Sequence, residues 1–256
     1  MKVVAVIPAR YQSTRFEGKP LAEIHGKPMI YYVYQGAARA RGVQDVFVAT
    51  DDERIRRAVA AFGGKVVMTS PEHKTGTDRI AEAVANLDVE IVINVQGDEP
   101  LVHPQMLEQA MRPLLEEPKL LVTTLMSPIE DPADFIDTTV VKTVVDRSGD
   151  ILFFSRSPIP YPKTRQAYTA YKQVGLYAFR KQFLLEFAAM SPTPLELIEG
   201  VELLRAVEEG IKVRGVETRH QTISVDTLSD LFEVRKVLRP EGATNDSRIE
   251  GTVKKN

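Results

Sequence analysis

Short continuous apolar runs alternate with longer stretches in which apolar residues recur every three or four positions. Residues 3–7 (Val-Val-Ala-Val-Ile) form a β-branched run stopped by Pro8, the pattern of a buried strand. Ile30, Val33, Tyr34 and Ala37 then follow at helical spacing. Residues 46–49 predict a second strand, and Thr50-Asp-Asp-Glu53 reads as a capping box opening a helix striped by Ile55, Ala58, Val59 and Phe62. Gly63 and Gly64 end that helix, and residues 65–68 predict a third strand. Thr77 is the expected cap of a helix running through Ile80 and Val84, and residues 91–95 predict a fourth strand. Strands separated by helices of this length imply right-handed βαβ crossovers, hence an α/β fold with a mostly parallel sheet.

The texture changes after Ser127. Strand-like runs at 140–146 and 151–154 flank Arg147-Ser-Gly-Asp150, the composition of a hairpin turn, and Ser157-Pro-Ile-Pro-Tyr-Pro162 follows. Residues 127–172 are therefore expected as an inserted lobe within a single domain spanning 1–238. Strand character returns at 173–179 and 212–216, with one helix expected over 195–208 and a last one over 228–238. The polar stretch 239–256 predicts a disordered tail.

Composition narrows the function classes. The 256 residues are 43% hydrophobic and 27% charged, ordinary for a globular chain able to bury a core. Lys plus Arg is 33 against 35 Asp plus Glu, so no basic excess points to nucleic acid, and any anion must be met by a local cluster. Cysteine is absent, which excludes disulfides, thiolate zinc sites and a thiol nucleophile. No run reaches the ~18 apolar residues of a membrane span, and a cytoplasmic protein is expected.

Ligands of parallel sheets bind at the carboxyl ends of strands. The first strand leads into Pro8-Ala-Arg-Tyr-Gln-Ser-Thr-Arg-Phe-Glu-Gly-Lys-Pro20, where Arg10, Arg15 and Lys19 could match the charges of a nucleoside triphosphate. A solvated basic loop is the plainer alternative, but the position directly after the first strand favours phosphate. Neither G-x-G-x-x-G nor the P-loop pattern is present. The fourth strand leads into Asn94-Val-Gln-Gly-Asp-Glu-Pro100, where Gly97 allows a turn presenting Asp98 to a hard cation such as Mg²⁺. Asp98 could equally bond its own turn backbone. Asp226 could be a second carboxylate or merely support a cap formed by Thr227 and Asp230. Around Gly76 a helix start offers backbone amides to an anion, with Arg79 adding charge.

Six segments in order carry a resemblance: 8–20, 48–52 (Val-Ala-Thr-Asp-Asp), 75–79 (Thr-Gly-Thr-Asp-Arg), 94–100, 154–160 (Phe-Ser-Arg-Ser-Pro-Ile-Pro) and 225–227 (Val-Asp-Thr). Together they resemble the 3-deoxy-manno-octulosonate (KDO) cytidylyltransferases, nucleotidyltransferases of Rossmann-like α/β fold. The resemblance implies CMP transfer from CTP to KDO, supplying lipopolysaccharide or capsule synthesis, and a homodimer joined through the inserted lobe. It implies that Arg10, Ser13, Arg15 and Lys19 hold the triphosphate, and that Thr75, Gly76 and Arg79 seat the nucleotide. Asp98 and Asp226 would bind Mg²⁺, and Gln96, Gln173, Tyr177 and Glu202 would face the sugar. The chain departs from the pattern at Gln173, where the family usually has His, at Leu203, where it usually has a polar residue, and at Leu228, where it usually has Pro. The first two keep open a different ulosonic acid as acceptor, an 8-amino or sialic-type sugar, or a nucleotide-binding paralogue without turnover.

Overall fold

The computed structural model describes residues 1–12, 16–164 and 168–238. Ser13, Arg15 and the tail expected from residue 239 lie outside the described residues. In chain order the elements are β1 (Val3–Ala9), a 3₁₀ turn (Lys19–Leu21), β2 (Glu23–Ile24), β3 (Lys27–Pro28), α1 (Met29–Ala38), β4 (Asp45–Thr50) and α2 (Glu53–Ala61). There follow β5 (Lys65–Met68), α3 (Gly76–Val84), β6 (Ile91–Val95), α4 (Pro104–Glu116), β7 (Val122–Pro128), α5 (Pro132–Ile136), β8 (Lys142–Val145) and β9 (Ile151–Ser155). The last are β10 (Tyr171–Arg180), α6 (Lys181–Ala189), α7 (Pro194–Glu199), α8 (Leu204–Glu208), β11 (Val213–Glu217) and α9 (Leu228–Val237).

The main sheet runs β11-β7-β10-β6-β1-β4-β5. β1 pairs in parallel with β4 and β6, β4 with β5, and β11 with β7, whereas β10 is antiparallel to both β6 and β7. The sheet is thus mostly parallel, with β10 wedged in the opposite sense. β1 is apolar throughout, and β6 is apolar except for Asn94, because both faces are covered. Successive β1 residues divide between the layers: Val3, Ala5 and Ile7 pack with Ile30, Val33 and Leu107, while Val4 and Val6 pack with Ile80 and Phe183. A smaller cluster of Ile24, Met29, Val225, Leu231 and Val234 docks α9 beside the 3₁₀ turn. The hairpin β8–β9 of segment 127–172 joins the sheet at the start of β10, through Tyr171 opposite Thr143.

Three local readings change. The helix expected from a Thr50 box is capped by Asp52, whose side chain accepts from Arg54 N–H, because the Thr50 hydroxyl is buried and accepts from Asp52 N–H. α3 is capped by Thr75 in a capping box with Asp78, leaving Thr77 buried inside the helix. The single helix expected over 195–208 is two, because Gly200 takes a left-handed φ of 63° and ends α7.

The break between α7 and α8 is braced by a buried ion pair. Arg205 donates from Nε and Nη2 to the two Glu196 oxygens at 2.8 and 2.6 Å, and from Nη1 to the Phe187 carbonyl at 2.9 Å. Removing one partner strands the other's charge in the core. Arg205→Met is expected to lower stability by about 3–5 kcal/mol, read as a drop in the urea unfolding midpoint.

Candidate active site

The carboxyl ends of β1, β4 and β6 lie on one edge because the three strands are parallel neighbours. The chain leaves β1 at Arg10 and β6 at Gln96, so the two loops start side by side. Gly97 is required there by close approach: a Cβ at that position would lie 2.8 Å from the Pro8 carbonyl oxygen. Asp98 follows directly, and its carbonyl accepts from Val225 N–H at 2.9 Å. That bond brings the segment carrying Asp226 alongside the one carrying Asp98.

Lys19 closes the arrangement. Its Nζ donates to Asp98 Oδ2 at 2.7 Å and to Asp226 Oδ1 at 3.1 Å, with the ammonium mostly buried. The α9 cap is made by Thr227 with Asp230, and Asp230 also accepts from Asp226 N–H. The Asp226 carboxylate itself turns to Lys19, so cap and carboxylate do separate work.

A cavity of about 420 Å³ opens over this edge, lined by Arg10, Lys19, Lys74, Thr75, Gly76 and Arg79 together with Gln96, Asp98 and Asp226. Arg10 and Lys74 are exposed. Arg79 differs: it is buried, donates from Nη1 to Thr69 Oγ1 at 2.6 Å and faces Asp51 at 3.2 Å, tying α3 to the ends of β4 and β5. A charge on that helix turn was legible in sequence; its commitment to Asp51 and Thr69 depends on strand order. Lys74 stands in the 74–79 segment but was not singled out by sequence, and its position in the cavity comes from the cap at Thr75.

A second cavity of about 360 Å³ shares Thr75, Gly76 and Gln96 with the first and is lined further by Thr77, Tyr177, Leu197, Gly200 and Glu202. Tyr177 lies opposite Asn94 in the antiparallel β10–β6 register, so the two point to the same side of the sheet. Burial pushes the Tyr177 hydroxyl pKa up, and the nearby Glu202 charge adds to it. Glu202 sits in the break after Gly200; burial raises its pKa, opposed by the hydroxyls of Thr77 and Thr75. Its Oε2 accepts from the Thr77 hydroxyl at 2.5 Å, while Oε1 is buried with no hydrogen-bond partner. Thr77 and Asn94 are the polar residues that sequence reading missed. A threonine inside α3 and an asparagine in the otherwise apolar Ile91–Val95 were the available signals.

Gln173 is not part of that second cavity. It lines a larger cleft, of about 1070 Å³, between segment 127–141 and residues 217–224, and touches the second cavity's wall by donating from Nε2 to Tyr177 Oη at 3.5 Å. Leu203 is fully buried among Val201, Leu204 and Phe187 and does not line the second cavity. The apolar residue there belongs to the core.

A family profile described as Cytidylyltransferase matches residues 4–213. A 3-deoxy-manno-octulosonate cytidylyltransferase of Geobacter metallireducens is 52% identical, over 91% of this chain and 96% of the relative. The chain belongs to the 3-deoxy-manno-octulosonate cytidylyltransferase family. Its counterpart in Geobacter sulfurreducens is 50% identical over 93% of this chain and all of that one. Among solved structures, a CMP:2-keto-3-deoxy-manno-octonic acid synthetase complexed with CTP superposes with a TM-score of 0.89 at 43% identity, covering 93% of this chain and 98% of that one. A cytidylyltransferase of Leptospira borgpetersenii, 17% identical with a TM-score of 0.61, shares the fold. The family resemblance carried by the six sequence segments and the Rossmann-like class are therefore both correct.

Glu99, next to Asp98, supplies a pH signature. Burial, with the neighbouring Asp98 charge, pushes its carboxyl up to about 7 from 4.5. The folded protein then holds a proton that the unfolded chain releases, so this group's stabilising contribution is full below pH 4.5 and is lost as pH rises through 7. Glu99→Gln should flatten the fall in urea stability across that window; an unchanged slope between pH 4.5 and 7.5 would count against it.

Proposed function

We propose that this protein transfers CMP from CTP to the anomeric hydroxyl of KDO, releasing pyrophosphate. The observation that carries the reading is the pair of adjoining cavities, one cationic and one lined by neutral and acidic hydrogen-bonding groups, meeting at Gln96 and the start of α3. The relatives named for this activity cover nearly the whole chain, and the solved relative at 43% identity is a complex with CTP.

In this reading the triphosphate lies against Arg10, Lys19 and Lys74, with Ser13 and Arg15 expected to contribute from the same loop. Thr75, Gly76 and Arg79 form the wall that seats the nucleotide. The sugar occupies the second cavity against Gln96, Tyr177 and Glu202, with Gln173 acting through Tyr177. The anomeric hydroxyl loses its proton to water as its oxygen bonds to the α-phosphorus, and the bond from the α-phosphorus to the departing pyrophosphate oxygen breaks in line. Such a transfer needs positioning and charge neutralisation, and no covalent protein nucleophile. Lys19 and Arg10 favour the charge that builds on departing pyrophosphate.

Asp98 and Asp226 fit a hard divalent cation, Mg²⁺ by this reading. Two carboxylates from separate segments already converge on one positive charge, and Mg²⁺ is commonly held by one or two carboxylates plus substrate phosphates. When bound, Mg²⁺ would supply a Lewis acid for the phosphate and sugar oxygens.

The same proposal includes a homodimer, a cytoplasmic setting and a role supplying activated KDO for lipopolysaccharide or capsule. Exposed Ile136, Leu152, Tyr161 and Tyr168 on segment 127–172 support an interface there. No helix among the described residues is long and apolar enough to cross a membrane.

Pyrophosphate release from CTP and Mg²⁺, with KDO, 8-amino-KDO and a sialic acid offered separately, tests the reading. KDO-dependent release is expected; release with another sugar alone would replace the acceptor, and CTP binding without release on any sugar would replace the activity. Asp98→Asn should abolish turnover with the thermal midpoint nearly unchanged, since the Val225 contact uses the Asp98 main-chain carbonyl. Near-normal activity of that variant would remove the metal assignment.

A further inference from the structure

The second cavity holds a polar chain that runs one way. Gln96 Nε2 donates to Asn94 Oδ1 at 3.2 Å, Asn94 Nδ2 donates to Thr77 Oγ1 at 3.5 Å, and the Thr77 hydroxyl donates to Glu202 Oε2 at 2.5 Å. Asn94 and Thr77 are almost completely buried, so water is excluded from the middle of the chain. Each of these four residues comes from a different constraint. Asn94 is fixed by the β6 ladder, Thr77 by the first turn of α3, Gln96 by the turn after β6, and Glu202 by the break after Gly200.

A carboxylate has two oxygens and about four acceptor positions. In Glu202 one oxygen is used by Thr77, and the other, Oε1, is buried and makes no full hydrogen bond, although the Thr75 hydroxyl lies close enough to ease the carboxylate's charge. An orphaned buried acceptor is costly unless a donor reaches it. Glu202 lines the cavity, and a hydroxyl of a polyhydroxylated acceptor is one donor that would complete it.

We propose that Thr77, backed by Asn94, is a positioning residue for acceptor recognition: its hydroxyl holds one Glu202 oxygen so that the other is presented to a hydroxyl of the bound sugar. Thr77 itself does not touch the reacting atoms. Its hydroxyl proton is already given to Glu202, and its oxygen already accepts from Asn94. The sugar therefore meets Glu202, and the geometry of Glu202 is set from α3. Thr77 faces the second cavity alone, whereas the preceding Thr75 and Gly76 line both cavities, so its loss is expected to fall on the sugar side.

The proposal rests on the sugar reading of the second cavity, and steady-state kinetics on the full chain separate the two. Thr77→Val keeps the shape and removes the hydroxyl; loss of a hydrogen bond to a charged group predicts a rise of about tenfold or more in KM for KDO. KM for CTP should move less than about twofold, and Thr77→Ser, which restores the hydroxyl, should bring KM for KDO back close to that of the unmodified protein. In a Glu202→Gln background, Thr77→Val should add little further loss, as coupled residues are non-additive. A rise in KM for KDO in Glu202→Gln but not in Thr77→Val would overturn the positioning role and leave the sugar cavity intact. No change in KM for KDO in Glu202→Gln would overturn the sugar reading itself. Equal losses for CTP and KDO in Thr77→Val, or additive losses in the double variant, would show a structural role and sink the proposal. If Thr77→Val does not fold, Asn94→Ala removes the donor behind Thr77. Its expected signature is the same selective rise for KDO, and an unselective loss would count against the proposal.

Discussion

The hydrogen bond from Val225 N–H to the Asp98 carbonyl holds together two pieces of chain that nothing in the local sequence connects. Asp98 follows β6 near the middle of the sheet, and Asp226 precedes α9 at the far end of the described chain. Two carboxylates brought to one place repel unless a positive charge lies between them. Lys19 supplies that charge at 2.7 and 3.1 Å, from a turn on which the α9 cluster of Val225, Leu231 and Val234 also packs. Main-chain pairing, apolar docking and ion pairing therefore act on the same three segments.

Around that centre the two cavities differ in charge because they fall on different sides of α3's first turn. The side toward β1 gathers Arg10, Lys19 and Lys74. The side toward β10 gathers Thr77, Asn94, Tyr177 and Glu202, with the Glu202 carboxylate met by a hydroxyl donor and the second carboxylate of that wall, Glu196, neutralised by Arg205. Gln96 serves both walls. A polyanion and a polyhydroxylated acid could thus lie end to end without sharing a counter-charge.

Much of the frame was legible in the residues. β1, β4 and β6 appear as mainly apolar runs because strands buried on both faces show little polar side, whereas the edge strand β5, which has no buried residue, was legible from the glycines before it and its paired valines. The loops after β1 and β6 could be paired in advance, since parallel strands bring their carboxyl ends to one edge. What was not legible depends on distance in space. The antiparallel entry of β10 comes from partners at 91–95 and 122–128, and nothing within 171–180 records it. Thr75 displaced Thr77 as the cap of α3 for a reason that is local instead: Asp78 completes a capping box with Thr75, a spacing present in the sequence, while a box from Thr77 would fall on Ile80. Leu203 looked like a departure in sugar recognition when read along the chain, yet it fills the core beneath the α7–α8 break. Arg79 was noticed for its charge, while its partners Asp51 and Thr69 lie across two strand ends.

The turn at Gly97 has a mechanical consequence. With no Cβ between them, the main chain at Gly97 and the Pro8 carbonyl meet backbone to backbone. Flexible side chains elsewhere act as cushions, letting one loop shift while its neighbour stays. Here no side chain lies between the two main chains, so a side chain added at Gly97 would have to push them apart. The end of β1 and the turn that carries Asp98 are thus set at a separation that only main-chain atoms define.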